Sequence, residues 1–501
     1  MKNMMCKIAP QSVLLIFSGI ICGLIQGSFS LPYLAFICYS PMMYALVHAE
    51  GRFGFFKGFM LFFAPYYAVS LSFLLSVHRL IPASPLLTVP LMILTVALLT
   101  VWECLLMLIP VYPFLWLKRI KYADTFALAL LITGGEWLQE NIFFLSFPWS
   151  GVWLSVTGSP ILLQPANLLG SRFVSFIILS AGGLIAELVM KPEKKAPAAF
   201  LVLLFTGVFS YGGYSLDRCK ELSQNGVKLT ALCVQDDAEG LKKNEMTSME
   251  AALTYEKIAK SSSDADLVLF PETAVPCDYS SSAQEFEILR KLAAEKNCVI
   301  VTGCFLHDGK DYNSMLAITD EGASDPYCKQ RLVPFGEKIP FALFTGADTL
   351  SECSDKRYLK PTEADGMKIG CAVCVESVYS SLVKQQTKEG AQLICVSTND
   401  SWFGKSFARY QHYRHCIMRA VENRKWLLRS GNCGISAIIS PWGEETAILE
   451  ESCEGAVSGE ISLITERSLY ARTGDLFITL PAALCVLAVI RRYRQHSTAS
   501  A

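Results

Sequence analysis

Three segments in the C-terminal half of the 501-residue chain carry side chains that could do chemistry. In ADLVLFPETAVP, Glu272 follows an apolar run and Pro271. In DPYCKQRLVPFGEKIP, Lys329 lies in an extended loop, with Glu337 a few residues on. In KIGCAVCVES an apolar strand stops at Cys374 ahead of a helical stretch, which puts the thiol on a sharp strand-to-helix turn. A thiol attacks as its thiolate, so it needs a base or a cation beside it. Glu272 can take that proton, and Lys329 can stabilise the anionic oxygen of a tetrahedral intermediate, as donors of an oxyanion hole do. The chemistry these types suit is acyl transfer through a thioester. Spacing alone does not bring together residues dozens of positions apart: singly, a Cys at a strand end reads as a small buried residue, and a lone Glu or Lys as a solvated surface group.

The elements that must position them follow from the pattern between about Leu216 and Arg472, where short β-branched or apolar runs alternate with polar helical stretches, as in a layered domain of mixed strands and helices. Strands are expected at Lys228–Val234, Ala265–Phe270, Cys298–Gly303, Met315–Thr319, Lys368–Val373, Gln392–Ser397 and Ile435–Ser440, and helices at Glu245–Ser261, Ser282–Lys296, Ser377–Glu389 and Tyr410–Asn423.

The front of the chain is of another kind. Composition is 52% hydrophobic against 18% charged, too apolar for an ordinary soluble protein. Met1 to Ser215 hold only 19 of the 89 Asp, Glu, Lys and Arg residues. A spanning helix needs ~20 mostly apolar residues, and seven candidates occur at roughly 12–29, 31–48, 59–77, 87–115, 125–144, 173–190 and 198–214, with an eighth near 476–490. Lys2 and Lys7 precede the first; Arg52 and Lys57, Lys118 to Lys121, Lys191 to Lys195 and Arg491 to Arg494 each follow an even-numbered one. Basic residues mark the cytoplasmic face, so both termini are expected inside and the segment between spans seven and eight outside, with Arg79 and Arg172 as exceptions. The expected division is 1–215 transmembrane, 216–472 catalytic and periplasmic, and 473–501 a last span with a basic tail. Glu103, Glu136, Glu140 and Glu187 fall in the spans, where carboxylates are costly and become candidates for function, or mark helix ends near headgroups. Ile21 stands where cleavage before Cys22 would need a small residue, so the first helix is read as retained.

Several classes are excluded. A net charge of −1 and no basic patch argue against nucleic-acid binding. Of 18 cysteines, 13 fall between Cys219 and Cys453 with irregular spacing, unlike a disulfide scaffold. Cys371 and Cys374 form a CxxC without the second pair or histidines that zinc would want, so no metal or cofactor is expected.

FPET around Glu272, YCKQRLVPFGE around Lys329 and Glu337, CVES around Cys374, STNDSWFGKS from Ser397 and QHYRHCIMRAVENRKWLLRSGNCGIS from Gln411 together resemble the nitrilase, or carbon–nitrogen hydrolase, superfamily. GEWLQENIFFLSFPW from Gly135 extends the resemblance to its membrane-embedded branch, the apolipoprotein N-acyltransferases. The resemblance implies a Glu272–Lys329–Cys374 triad on a four-layer αββα sandwich joined to about eight transmembrane helices. It implies Glu337 and Glu376 as supports, and Trp402 and Phe403 at the substrate entrance. It further implies a phospholipid acyl donor, a diacylglyceryl apolipoprotein acceptor, an inner-membrane location and, as expected here, a monomer. Val375 departs from the aromatic residue common after the nucleophile, and SGNCG from the usual threonine-containing form. Phe335, Phe341, Leu343 and Phe344 form an apolar cluster beside Lys329 that could line an opening to lipid or simply fill a core. A membrane-tethered amidase that passes the thioester to water would use the same triad, and a catalytically inert scaffold would keep only the shell.

Overall fold

The computed structural model describes residues 2–27, 31–81, 83–117, 123–142, 145–237, 246–333, 337 and 359–482. Phe335, Phe341, Leu343, Phe344, the Lys118–Lys121 loop, most of the expected eighth span and the basic tail lie outside them.

Among the described residues, twelve strands build the C-terminal half: β1 (Val227–Gln235), β2 (Leu267–Leu269), β3 (Val299–His307), β4 (Asp311–Ile318), β5 (Tyr327–Cys328), β6 (Thr362–Ala364), β7 (Met367–Val373), β8 (Leu393–Asn399), β9 (Leu427–Asn432), β10 (Ser436–Ile439), β11 (Glu445–Leu449) and β12 (Gly455–Leu463). They form two six-stranded sheets, ordered β12-β1-β2-β3-β4-β5 and β11-β10-β9-β8-β7-β6. In each sheet three central neighbours run parallel, β1–β2–β3 and β7–β8–β9, with antiparallel strands outside them.

Side-chain alternation explains how the layers stack, since successive residues of a strand face opposite sides. Leu267 and Leu269 of β2, Ile369, Cys371 and Val373 of β7, and Leu393 and Cys395 of β8 share one core between the sheets. Val268 and Phe270 turn the other way, onto helices Ser248–Ser261 and Ala283–Lys296. Ala372, Ile394 and Val396 turn onto helices Ser380–Lys388 and Ala408–Asn423. The result is a nitrilase-like helix–sheet–sheet–helix arrangement. Cys371 is thereby a core residue, which accounts for half of the CxxC without a metal. Among the described residues no group of His, Cys, Asp and Glu could hold a metal ion, and no disulfide joins the described cysteines.

The outer helical layer of the second sheet is also the floor of the apolar front. One continuous core contains Tyr379, Leu382, Tyr413, Ile417 and Val421 together with Phe59, Phe62, Met107, Leu154, Ile178 and Leu184. Among the described residues, four helices are long and apolar enough to cross a membrane: Gly51–Leu80, Pro85–Trp116, Ser171–Met190 and Lys195–Asn225. The expected second span is shorter and broken, as Leu34–Cys38 and Ser40–Val47. Together these cover roughly 21 Å at ~1.5 Å per residue, less than the ~30 Å of hydrocarbon. Helix Lys2–Ile25 packs closely on Gly51–Ser70 because Gly19 and Gly23 leave room for the backbone carbonyls of Phe62 and Tyr66, as small residues do where membrane helices meet. The 31-residue helix Lys195–Asn225 runs through the expected boundary at 215/216 and hands directly to β1 at Val227. No flexible linker separates the halves there.

Charge fastens them as well. Glu140 pairs with Arg172 at 2.5 Å, and Arg172 reaches Asp475 at 2.8 Å. The same Glu140 accepts hydrogen bonds from Ser380 Oγ at 2.8 Å and from the Ser381 amide at 2.9 Å, so a carboxylate of the apolar front caps the helix that follows Cys374. Arg172 is an exception to the basic-residue pattern because it answers these two carboxylates. Glu136 accepts from the Val152 amide at 2.7 Å and Ser175 Oγ at 3.1 Å, and Glu187 contacts His48 at 2.8 Å. Glu136, Glu140 and Glu187 thus have structural partners, and Glu103 is buried beside Gln139. Breaking a buried ion pair by removing one partner costs about 3–5 kcal/mol. Arg172→Met, which strands Glu140 and Asp475, should lower stability by about that amount, read as the thermal midpoint in detergent; a loss below ~1 kcal/mol would show the clamp to be dispensable.

Candidate active site

Glu272, Lys329 and Cys374 each leave a strand at its C-terminal end, where ligands gather in open α/β sheets. Glu272 follows β2, Lys329 follows β5 and Cys374 follows β7. All three are buried, at 5%, 1% and 8% exposure. Gly303 of β3 permits the first turn: a Cβ there would lie 2.5 Å from the Thr273 amide nitrogen and 2.7 Å from the Pro271 carbonyl oxygen.

Lys329 Nζ donates to Glu272 Oε1 at 3.0 Å and to Glu337 Oε1 at 2.5 Å. Glu272 is held further by Asn313 Nδ2 at 2.9 Å and by the Asn399 amide at 2.9 Å. Glu337 also accepts from the Val333 amide at 2.8 Å. Burial by itself would depress the Lys329 pKa, but Glu272 and Glu337 outweigh it and carry the ammonium well above its ordinary range. It is a fixed cation, suited to stabilising an oxyanion and not to taking a proton.

Cys374 has φ +54°, in the left-handed region that costs a residue bearing Cβ of order 1–3 kcal/mol. The turn is kept by its surroundings. Glu376, fully buried, accepts from the Val373 amide at 2.8 Å, Tyr327 Oη at 2.8 Å, the Gln330 amide at 2.5 Å and the Arg331 amide at 3.0 Å. It straps the cysteine turn to the strand and loop that carry Lys329. Burial pushes the Cys374 thiol well up, the Glu272 carboxylate adds to this, and Lys329 and a hydrogen bond with Thr398 pull the other way. The resting group is therefore a thiol. Moving its proton onto Glu272 leaves the total charge of the buried cluster unchanged, whereas releasing it to solvent would add a buried anion.

Trp402 is 54% exposed on a short 3-10 turn, Asp400–Phe403. Phe403 instead packs edge-on to Phe73 and lies 5.5 Å from Trp149 by ring centroids. The sequence-expected site residues thus divide: Glu272, Lys329 and Glu337 are joined by direct bonds, Glu376 braces Cys374, Trp402 stands at the surface, and Phe403 joins the front half to the catalytic half. Sequence reasoning missed Asn313, Thr398, Asp400, His412 and Arg429. Thr398, Asp400, His412 and Arg429 lay inside quoted motifs, but no polar residue there signals its own burial.

The fold is that of an enzyme of the carbon–nitrogen hydrolase type. The carbon–nitrogen hydrolase family model matches residues 220–470, and the model for the apolipoprotein N-acyltransferase N-terminal domain matches residues 18–184. The chain is 30% identical to an apolipoprotein N-acyltransferase of Pseudomonas syringae pv. tomato over 79% of each chain. It is 28% identical to that of Pseudomonas putida over 95% of each, and 26% identical to that of Geobacter metallireducens over 96% of this chain and 95% of the relative. The chain belongs to the apolipoprotein N-acyltransferase family.

The electrostatics have a direct readout in the pH dependence of Cys374 alkylation by iodoacetamide, followed by peptide mass spectrometry. Glu272→Gln removes a charge that raises the thiol pKa, so the alkylation curve should move to lower pH; Lys329→Met removes the cation that lowers it and should move the curve to higher pH. Coincident curves for the two variants would mean that neither charge acts on the sulfur.

Proposed function

We propose that the chain transfers a fatty acyl group from a membrane phospholipid, by way of a thioester on Cys374, to the α-amino group of an S-diacylglyceryl cysteine at the N-terminus of an apolipoprotein. The observation that carries this reading is the buried ammonium of Lys329 bonded to Glu272 beside a thiol on a left-handed turn, in a chain whose apolar helices share a core with the layer behind that turn.

In the first step Glu272 takes the thiol proton as Cys374 Sγ attacks the ester carbonyl carbon, and Lys329 stabilises the oxyanion. Collapse breaks the carbon–oxygen ester bond, Glu272 returns the proton to the leaving oxygen, and a lysophospholipid departs. In the second step the amine nitrogen attacks the thioester, Glu272 accepts its proton, and the carbon–sulfur bond breaks with the proton going back to sulfur. Glu337 fixes Lys329, and Glu376 fixes the turn. Trp402 and Phe403 border the entrance, Trp402 as the exposed member. The chain works as a monomer in the inner membrane, with the two-sheet domain that begins at β1 on the periplasmic side and both termini cytoplasmic.

Purified protein incubated with phospholipid carrying a labelled acyl chain should accumulate an acyl-enzyme that hydroxylamine cleaves and a diacylglyceryl peptide discharges. Cys374→Ala should form none. Rapid release of free fatty acid without peptide would favour the amidase-like alternative, in which water accepts the acyl group. Lys329→Met should slow acylation by ~10²–10³-fold, the usual effect of removing an oxyanion donor; a change under tenfold would remove Lys329 from that role.

A further inference from the structure

Behind the cysteine turn lies a buried polar network that the proposed chemistry does not use. Asp400, His412, Ser377 and Arg429 are each 0% exposed. Asp400 Oδ1 lies 2.9 Å from His412 Nδ1, and Asp400 Oδ2 accepts from Arg429 Nη2 at 2.7 Å. Arg429 Nη2 is also 3.2 Å from His412 Nδ1, farther than the carboxylate. On its other side, His412 Nε2 is 3.0 Å from the Cys374 carbonyl oxygen and 3.1 Å from Ser377 Oγ, and Ser377 Oγ donates to the same carbonyl at 3.0 Å. Thr398 adds to these contacts, donating to Asp400 Oδ1 at 3.0 Å.

A carbonyl oxygen only accepts, so a ring nitrogen that bonds to it is a donor. The imidazole has little freedom to turn away, being stacked on Trp149 at 5.8 Å and met edge-on by Phe403 at 5.6 Å. Gly434 keeps the pocket open on the far side, since a Cβ there would collide with the Asp400 carboxylate. The fold thus reserves space, two aromatic faces and a carboxylate to aim one N–H at the peptide of one residue, and that residue holds a backbone conformation unfavourable for a side chain with Cβ.

We propose that His412, oriented by Asp400, is a positioning residue that with Ser377 anchors the Cys374 carbonyl and so holds the sulfur in its attacking direction. The role rests on Cys374 being the nucleophile. His412 touches no reacting atom; it acts through the geometry of the turn, where a displacement near 1 Å costs on the order of 10²-fold in rate.

The test compares His412→Ala, His412→Gln and His412→Asn in the full-length protein in detergent, measuring kcat and KM for acyl-enzyme formation from labelled phospholipid, with thermal midpoints. A glutamine amide can reach the position of Nε2, and an asparagine amide only that of Nδ1. His412→Ala should lower kcat ~100-fold with KM unchanged within about twofold, and His412→Gln should recover at least roughly tenfold over His412→Asn. Equal activity of the glutamine and asparagine variants, or losses that follow the fraction of unfolded protein, would overturn the proposal. Ser377→Ala keeps the test open should the His412 variants fail to fold: the carbonyl then depends on His412 alone, and kcat should fall several-fold at constant KM, while an unchanged kcat counts against the role. Cys374→Ala, assayed alongside, separates the two claims. Turnover surviving in it would overturn the nucleophile assignment and the positioning role together, whereas a dead Cys374→Ala beside an unimpaired His412→Ala overturns the positioning role alone.

Discussion

The site depends on keeping one ammonium dry. Lys329 lies almost wholly out of water with two carboxylates as its partners, and a buried charge costs several kcal/mol unless its hydrogen bonds and counter-charges are complete. Two carboxylates around one cation overcompensate by one negative charge. Burial and that excess together keep the neighbouring thiol protonated, so the arrangement favours a base-assisted thiol over a preformed thiolate. An arginine would carry the same charge, but its planar fork demands a different partner geometry; a compact ammonium can bond to Glu272 and Glu337 together and still face a third group.

Since the three groups come from the ends of strands in both sheets, their relative positions are only as fixed as the packing between the sheets. Polar bonds reinforce the shared apolar core. Ser397 Oγ of β8 donates to the Phe270 carbonyl at 2.7 Å, two residues before Glu272, and Ser436 Oγ of β10 donates to Gln235 Oε1 of β1 at 2.6 Å. Glu376 ties the cysteine turn to the lysine loop, and Glu140 ties the following helix to the apolar front. A displacement of the front helices would therefore be felt at Ser380, six residues from Cys374, with no flexible joint between.

Much of this was legible in the amino-acid sequence because apolar alternation is a local signal. All seven expected strands and all four expected helices of the catalytic half occur, with ends displaced by a few residues. The five strands without an expectation have weak local patterns: β5 and β6 are very short, β11 and much of β12 are edge segments with exposed polar residues, and β9 contains Arg429, Ser430, Gly431 and Asn432. β9 reads as a loop by composition because its polar side chains are satisfied by distant partners such as Asp400 and the Val234 carbonyl. The expected triad rests on the motifs around its members, not on spacing. The Asp400–His412 pair was missed because burial of a polar residue is a property of the assembled fold. In the front, hydropathy marked apolar segments but not their continuity: it did not show the break at Tyr39 or the passage of Lys195–Asn225 into the catalytic half.

These physical facts bear on why such a triad would serve transfer to an amine when the same groups can serve hydrolysis. Nothing in a thiol, a carboxylate and an ammonium distinguishes water from an amine as the second nucleophile. What can distinguish them is how long a thioester persists before its acceptor arrives, and that is set by water access. Cys374 is 8% exposed, its carbonyl side is filled by His412 and Ser377, and the layer behind it is continuous with the apolar helices. A long acyl chain on sulfur would add apolar bulk beside the thioester, where it would exclude water from the carbon it activates. An acceptor that brings its own acyl chains gains apolar contact on entering such a site, and water gains none. Under the proposed function, selectivity for the amine would come from the lipid surroundings of the sulfur and not from a further catalytic group.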